Sequence, residues 1–275
     1  MLSFSSLLSD TKNFISNNLV SVTLTVLSLA IITQLVDFFF YPSIDDFLPI
    51  KQLIELTIQK YGNQSPEALS QTILALPQQE QQSIIPAAMS YLARVGIIFL
   101  AINLLSMSMI LALIYTISSQ QLSLANMLKN ISRMASNIIL FMLITIPGFI
   151  GLSLIVSIIP PLAIPLIIIA ISFYIMIYFA FLTVIIDPVP QYGFSKKLKI
   201  ALAFLRRKVK LIVPIVAIWF FTTFLLDSFA SMLISNLIAL IVFYALKLLL
   251  SIMALCYLYR LYSLSNKELA YDTSN

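Results

Sequence analysis

Residues 236–259 read NLIALIVFYALKLLLSIMALCYLY, and Lys247 is the only charge in those 24 positions. At about 1.5 Å per residue, a helix of that length spans roughly 36 Å, enough to cross a hydrocarbon layer about 30 Å thick. Working outward, five further runs have the same character: 19–40, 91–117, 137–159, 162–186 and 211–235. A soluble domain of 275 residues has no interior in which to hide six such helices. The expected architecture is therefore an all-α polytopic transmembrane helix bundle, one membrane domain over residues 1–275 with six spans.

Composition agrees. The chain is 60% hydrophobic and 10% charged, with a mean hydropathy of +1.02, whereas soluble domains sit near 45–50% apolar and about 25% charged. The net charge of +5 does not point to nucleic acid, because the basic residues stand beside apolar runs, where orientation signals belong. The run 19–40 is too long for the apolar part of a signal peptide, and Phe38-Phe39-Phe40-Tyr41 follows rather than a small-residue cleavage site, so it reads as a retained first span.

Charge placement sets the expected orientation. With the N-terminus inside, 12 of the 16 basic residues fall on the inner side: Lys12, Lys129, Arg133, the cluster from Lys196 to Lys210, Arg260 and Lys267. Both termini are then cytoplasmic, and the bacterial inner membrane is the expected location. Loop 41–90 is the large outer segment, and 187–210 is a basic cytoplasmic loop. Within the outer segment, 50–61 has amphipathic spacing, Ser65-Pro66-Glu67 reads as a helix start, and Pro77 with Glu80 suggests another. Tight outer turns are expected at Pro160-Pro161 and at 234–236.

A weak threefold pattern runs through the chain. Stretches 2–17, 120–135 and 192–210 have helical apolar spacing with polar or basic opposite faces, and each precedes a pair of spans. This suggests three hairpins, each preceded by a cytoplasmic amphipathic helix. Pro147 inside the third span, beside Gly148 and Gly151, predicts a kink and a place where another helix can come close. It serves as a gate on one reading and as ordinary packing on the plainer one.

Few residues are equipped for chemistry. The chain has no histidine, which removes the commonest general base and metal ligand. The single cysteine, Cys256, lies in an apolar run and reads as a small core filler. No phosphate-binding loop, nucleophile elbow, zinc-protease or dinucleotide motif is present. No catalytic residue, cofactor site or metal site is therefore expected, and the protein reads as non-enzymatic.

Two features remain. Lys247 falls near the middle of its span, where a charge needs a partner, and Asp227 on the preceding antiparallel span differs from it in depth by roughly 8 Å at 1.5 Å per residue. A lysine stem can bridge much of that gap, making Asp227 and Lys247 a candidate intramembrane ion pair. Asp37 and Arg94, both at the outer boundary, are expected to pair in the same way. The second feature is the run Lys196, Lys197, Lys199, Arg206, Arg207, Lys208 and Lys210, interleaved with Leu and Phe. It suits contact with anionic phospholipid on the cytoplasmic face as well as a plain orientation signal.

Asp10-Thr11-Lys12-Asn13-Phe14 before the first span, Ile146-Pro147-Gly148 in the third, Asp187 closing the fourth and Tyr257-Leu258-Tyr259-Arg260-Leu261-Tyr262 ending the sixth are familiar in order and spacing. Over nearly the whole chain this resembles the YciC family of enterobacterial inner-membrane proteins. The resemblance implies six spans and supplies no catalytic residues. Three functional expectations follow from the chain as a whole: support of the envelope or of membrane-lipid organisation; a small carrier of a lipid or amphipathic solute using the Lys247/Asp227 region and the Pro147 kink; and, least favoured, an intramembrane hydrolase with Lys247 as the base for a serine.

Overall fold

The structure is a computed structural model that describes residues 3–43, 47–62, 65–120, 124–158, 163–187, 192–232 and 236–272. The described residues form nine helices and no strand: α1 (Phe4–Asn17), α2 (Leu19–Phe40), α3 (Leu48–Tyr61), α4 (Pro66–Ala75), α5 (Gln78–Ser118), α6 (Leu124–Ile158), α7 (Ala163–Ile186), α8 (Phe194–Ser231) and α9 (Leu237–Asp272). Six of them, α2 and α5 to α9, are long and apolar enough to cross a membrane. The turn at Pro160-Pro161 and most of the turn at 234–236 fall outside the described residues.

Several helices run further than their apolar cores. The run 91–117 is the second part of α5, which starts at Gln78 and carries Pro86 within it. From Leu124 the amphipathic stretch 120–135 runs without a break into the apolar part of α6, whereas the stretch 192–210 forms the leading part of α8 and is set off from the apolar part by a kink. In α6 a backbone already satisfied by its own hydrogen bonds has no reason to stop at the edge of the apolar segment, and no stop signal stands there. α8 does depart from helical geometry at Lys208, with φ −117° and ψ 19°, six residues before Pro214. α6, by contrast, stays helical on both sides of Pro147.

The chain divides into two compact units, residues Met1–Ile32 with Leu104–Asn275, and residues Thr33–Asn103. In the first, α7 packs on α8 and α9, α8 on α9, α6 on α7 and α1 on α9. Leu29, Ile110, Ile138, Leu182, Ile252 and Leu255 lie in one fully buried cluster. The outward surface is also apolar: Ile169 and Phe221 are each 65% exposed, amid many similar neighbours. Such a surface would be an aggregation hazard in water but suits contact with lipid chains. Hydroxyls within the long helices bond back to their own turn, as Thr116 does to the Ala112 carbonyl at 2.6 Å and Thr183 to that of Phe179 at 2.7 Å. They therefore need no partner from another helix.

α1 is anchored along its first half. Ser3 and Ser6 form a capping box at its start. Leu7 and Thr11 are buried, the Phe4 ring meets Tyr257 of α9 at 5.4 Å between centroids, and Asp10 pairs with Arg260 at 3.4 Å.

In the second unit α3 packs on α4. α3 ends at Gly62, whose φ of +69° is left-handed and therefore suits glycine. α4 starts where Ser65 accepts a hydrogen bond from the Ala68 amide, with Pro66 at the first helical position. The expected Asp37–Arg94 pair does not form. The Arg94 guanidinium instead lies over the Phe47 ring at 5.3 Å, and Phe47 meets Tyr91 edge-on at 5.3 Å. A long cationic side chain finds an aromatic face without giving up its water.

Tyr257 is fully buried, and its hydroxyl has no hydrogen-bond partner among the described residues. A buried orphan hydroxyl costs about 1–3 kcal/mol. Tyr257→Phe is therefore expected to raise the thermal unfolding temperature of the detergent-solubilised protein, by an amount worth about 1 kcal/mol. A lowered unfolding temperature would mean that the hydroxyl has a partner.

Candidate functional site

Spans rich in Leu and Ile leave few polar groups to organise a site, and in the first unit they gather in two places. The first is the charge pair read from the sequence. Lys247 of α9 donates to both carboxylate oxygens of Asp227 on α8, at 2.9 and 2.8 Å. Two bonds from one ammonium to one carboxylate compensate both charges where water is scarce. The Lys247 side chain is one-third exposed and that of Asp227 more than half, so the pair sits on the outer surface of the helices, not at their centre.

A polar seam continues along α9 from this pair. Ser251 donates to the Lys247 carbonyl at 3.0 Å and accepts from the Trp219 indole at 3.0 Å. Tyr244 and Ser106 lie within hydrogen-bond distance at 3.3 Å. The Lys247 ammonium is thus directed at a carboxylate, not at a serine hydroxyl. A cavity of about 550 Å³ opens between α7 and α8, lined by groups such as Ile168, Ile171, Met176, Val213 and Phe220, and neither Asp227 nor Lys247 lines it.

The second gathering was not assembled from the sequence. Arg133 of α6 points its guanidinium at the Tyr115 ring of α5, 5.2 Å from the centroid, and one terminal nitrogen donates weakly to the Ile186 carbonyl at 3.4 Å. That carbonyl belongs to the last turn of α7, where the helix presents its negative end. The buried Arg133 Nε has no partner. Lys197 of α8 donates to the Asn137 side-chain oxygen at 3.0 Å, and the Asn137 amide donates to the Arg133 carbonyl at 2.7 Å. Asp187 lies near Arg133 without closing an ion pair with it. Burial pushes its carboxyl above the usual carboxylate range, and Arg133 draws it part of the way back.

The remaining residues singled out in the sequence have plainer settings. Within 196–210, Lys196, Lys199, Arg206, Arg207 and Lys210 are exposed, while Lys197 and Lys208 are half-buried. Ala201, Phe204 and Leu205 on the same helix are buried. The apolar side of this stretch is therefore spent on the protein's own core, and the cations face outward. Lys196 also lies 3.6 Å over the Tyr192 ring. A Cβ added at Gly148 or Gly151 would meet nothing within 4 Å, so among the described residues no helix takes up the close approach expected there. Cys256 is fully buried. The described residues include no group of His, Cys, Asp and Glu able to hold a metal ion.

Six long apolar helices, an apolar outer surface and hydroxyls satisfied within their own helices define a multi-pass α-helical membrane protein. No protein-family model, curated protein or solved structure matches the chain.

The ion pair makes a measurable forecast. Lys247→Met and Asp227→Asn should each lower the unfolding temperature in detergent. The double variant should lose less than the sum of the two, with a coupling on the order of 1 kcal/mol. Strict additivity in this cycle would mean that the two side chains do not interact.

Proposed function

We propose that this protein is a non-enzymatic inner-membrane protein of the YciC type, with both termini cytoplasmic, that engages anionic phospholipid and so supports envelope or membrane-lipid organisation. The observation carrying this reading is the outward face of α8. Five of the seven cations between residues 196 and 210 are exposed, while the same helix turns Ala201, Phe204 and Leu205 into the core. A cationic face held rigidly beside apolar spans suits an anionic leaflet, at about 1 kcal/mol per basic residue near the surface. The charge asymmetry of the chain supports the orientation, since 12 of 16 basic residues then lie inside.

On this reading the protein is three hairpins, each introduced by a cytoplasmic amphipathic segment. α1 is the free-standing copy, the leading turns of α6 are fused to their span, and the leading part of α8 meets its span across the kink at Lys208. Close packing of α6 on α7 and of α8 on α9 is consistent with that plan.

A second reading, a small carrier for a lipid or amphipathic solute, draws on the bonded Lys247–Asp227 pair and on Pro147 within α6. A carrier that uses the pair loses its activity when the pair is broken.

One complementation experiment separates the two. A deletion strain is tested for envelope-stress sensitivity and complemented with a variant in which Lys196, Lys199, Arg206, Arg207 and Lys210 are all Gln, or with Lys247→Met. The lipid-organising reading expects the five-fold variant to fail although it inserts normally, and Lys247→Met to complement. The reverse pattern favours the carrier.

A further inference from the structure

We propose that Arg133 and Lys197, with Tyr115 and Asn137, form a discrete binding site for a phosphate group at the end of the helix bundle where α7 closes and α8 begins. The inference deepens the phospholipid-binding function proposed above and rests on it. It moves the specific contact from the exposed face of α8 to a half-buried site shared by α5, α6 and α8.

A guanidinium carries five N–H donors in a fixed plane. Among the described residues Arg133 has one acceptor, the Ile186 carbonyl, at the long distance of 3.4 Å. Its Nε is buried and unpartnered. A cation this poorly satisfied is an expensive choice if its only task is to tie helices together. The Tyr115 ring beneath the guanidinium fixes its plane and takes up none of its N–H groups.

Lys197 adds a second cation, linked to the Arg133 backbone through Asn137, and burial first and the Arg133 charge second both disfavour its protonated form. It spends one of its three donors on Asn137. Evolution-free electrostatics disfavours two like charges side by side unless an anion joins them. The neighbouring carboxylate, Asp187, leaves one net positive charge among the three groups and does not close onto Arg133. An acceptor with several oxygens in a plane or tetrahedron matches the unused donors, and phosphate is the common one that a guanidinium meets with two parallel bonds.

The position also suits a lipid source. Arg133 stands just before the third apolar run and Asp187 just after the fourth, where headgroups would lie, and Lys197 is tied to the Arg133 turn through Asn137. A phosphodiester headgroup and free phosphate share the recognised chemistry, and the experiment tells them apart.

The full-length protein is purified in a neutral detergent. Its thermal unfolding is followed while phosphatidylglycerol, phosphatidylcholine or inorganic phosphate is titrated in, and bound lipid is counted by native mass spectrometry. Wild type is expected to be protected by phosphatidylglycerol, or by inorganic phosphate if free phosphate is the natural occupant. Arg133→Gln is expected to weaken that protection roughly tenfold. Arg133→Lys, which keeps the charge and the fold but loses the planar fork, is expected to weaken it several-fold. Asp187→Asn is expected to tighten it, because a competing anion is removed. A merely structural arginine would not give opposite signs at these two positions.

The proposal is overturned if Arg133→Lys and Asp187→Asn bind both probes as wild type does. In that event, loss of lipid binding in the five-fold Gln variant would leave the wider lipid reading standing. A wild type that no anionic lipid or phosphate protects would sink both.

Discussion

In hydrocarbon a backbone amide has no water to turn to, so each span must satisfy its own hydrogen bonds as a helix. Most of what this chain does with its residues follows from that constraint. Apolar side chains face outward as well as inward, as Ile169 and Phe221 do. Hydroxyls fold back onto their own turn, as at Thr116 and Thr183. The one lysine deep in a span takes both oxygens of an aspartate on the next helix. Charges that cannot be paired inside collect where the helices end.

The ends of the bundle are therefore where chemistry has room. Arg133 belongs to α6, Lys197 to α8, and Asp187 follows the last residue of α7; Arg133 and Asp187 lie within a turn or so of an apolar run. The α7 terminus contributes a carbonyl, and α5 contributes an aromatic face. Half-buried groups of both signs then face one another without full satisfaction. The Lys247–Asp227 pair is the opposite case, two charges that satisfy each other on the outer surface of the helices. A charge already neutralised contributes to stability and leaves little to offer a ligand; an arginine with unused donors leaves much.

The fold was legible in the sequence because its signal is long and coarse. A run such as 236–259 does not depend on register or partner. The Asp227–Lys247 contact was legible too, since consecutive antiparallel helices put residues of similar depth together. The helix starts at Ser65-Pro66 and near Pro77 were readable from local capping chemistry. What escaped was the continuity of α6, where nothing local stops the helix between its amphipathic and apolar parts; in α8 the two parts are divided by the kink at Lys208. Arg94 was misread because a cation near a boundary has several good partners, and Phe47 offered one within reach. The Arg133 cluster escaped because Asp187 and Lys197 are 54 and 64 positions from Arg133, and the two cations, each alone, read as orientation signals. A search for charged residues at matching depths on successive spans would have found them.

Six helices have lipid as their solvent, and the proposed function places their cationic ends on the inner leaflet. Site-directed cysteine labelling tests this most directly, on a Cys256→Ala background so that each introduced thiol reports alone. A membrane-impermeant maleimide added to intact cells should label Ser70→Cys, and should label Ala125→Cys and Lys199→Cys only after the membrane is opened. Labelling of Ala125→Cys or Lys199→Cys in sealed cells, or recovery of the unlabelled protein in the soluble fraction without detergent, would contradict it.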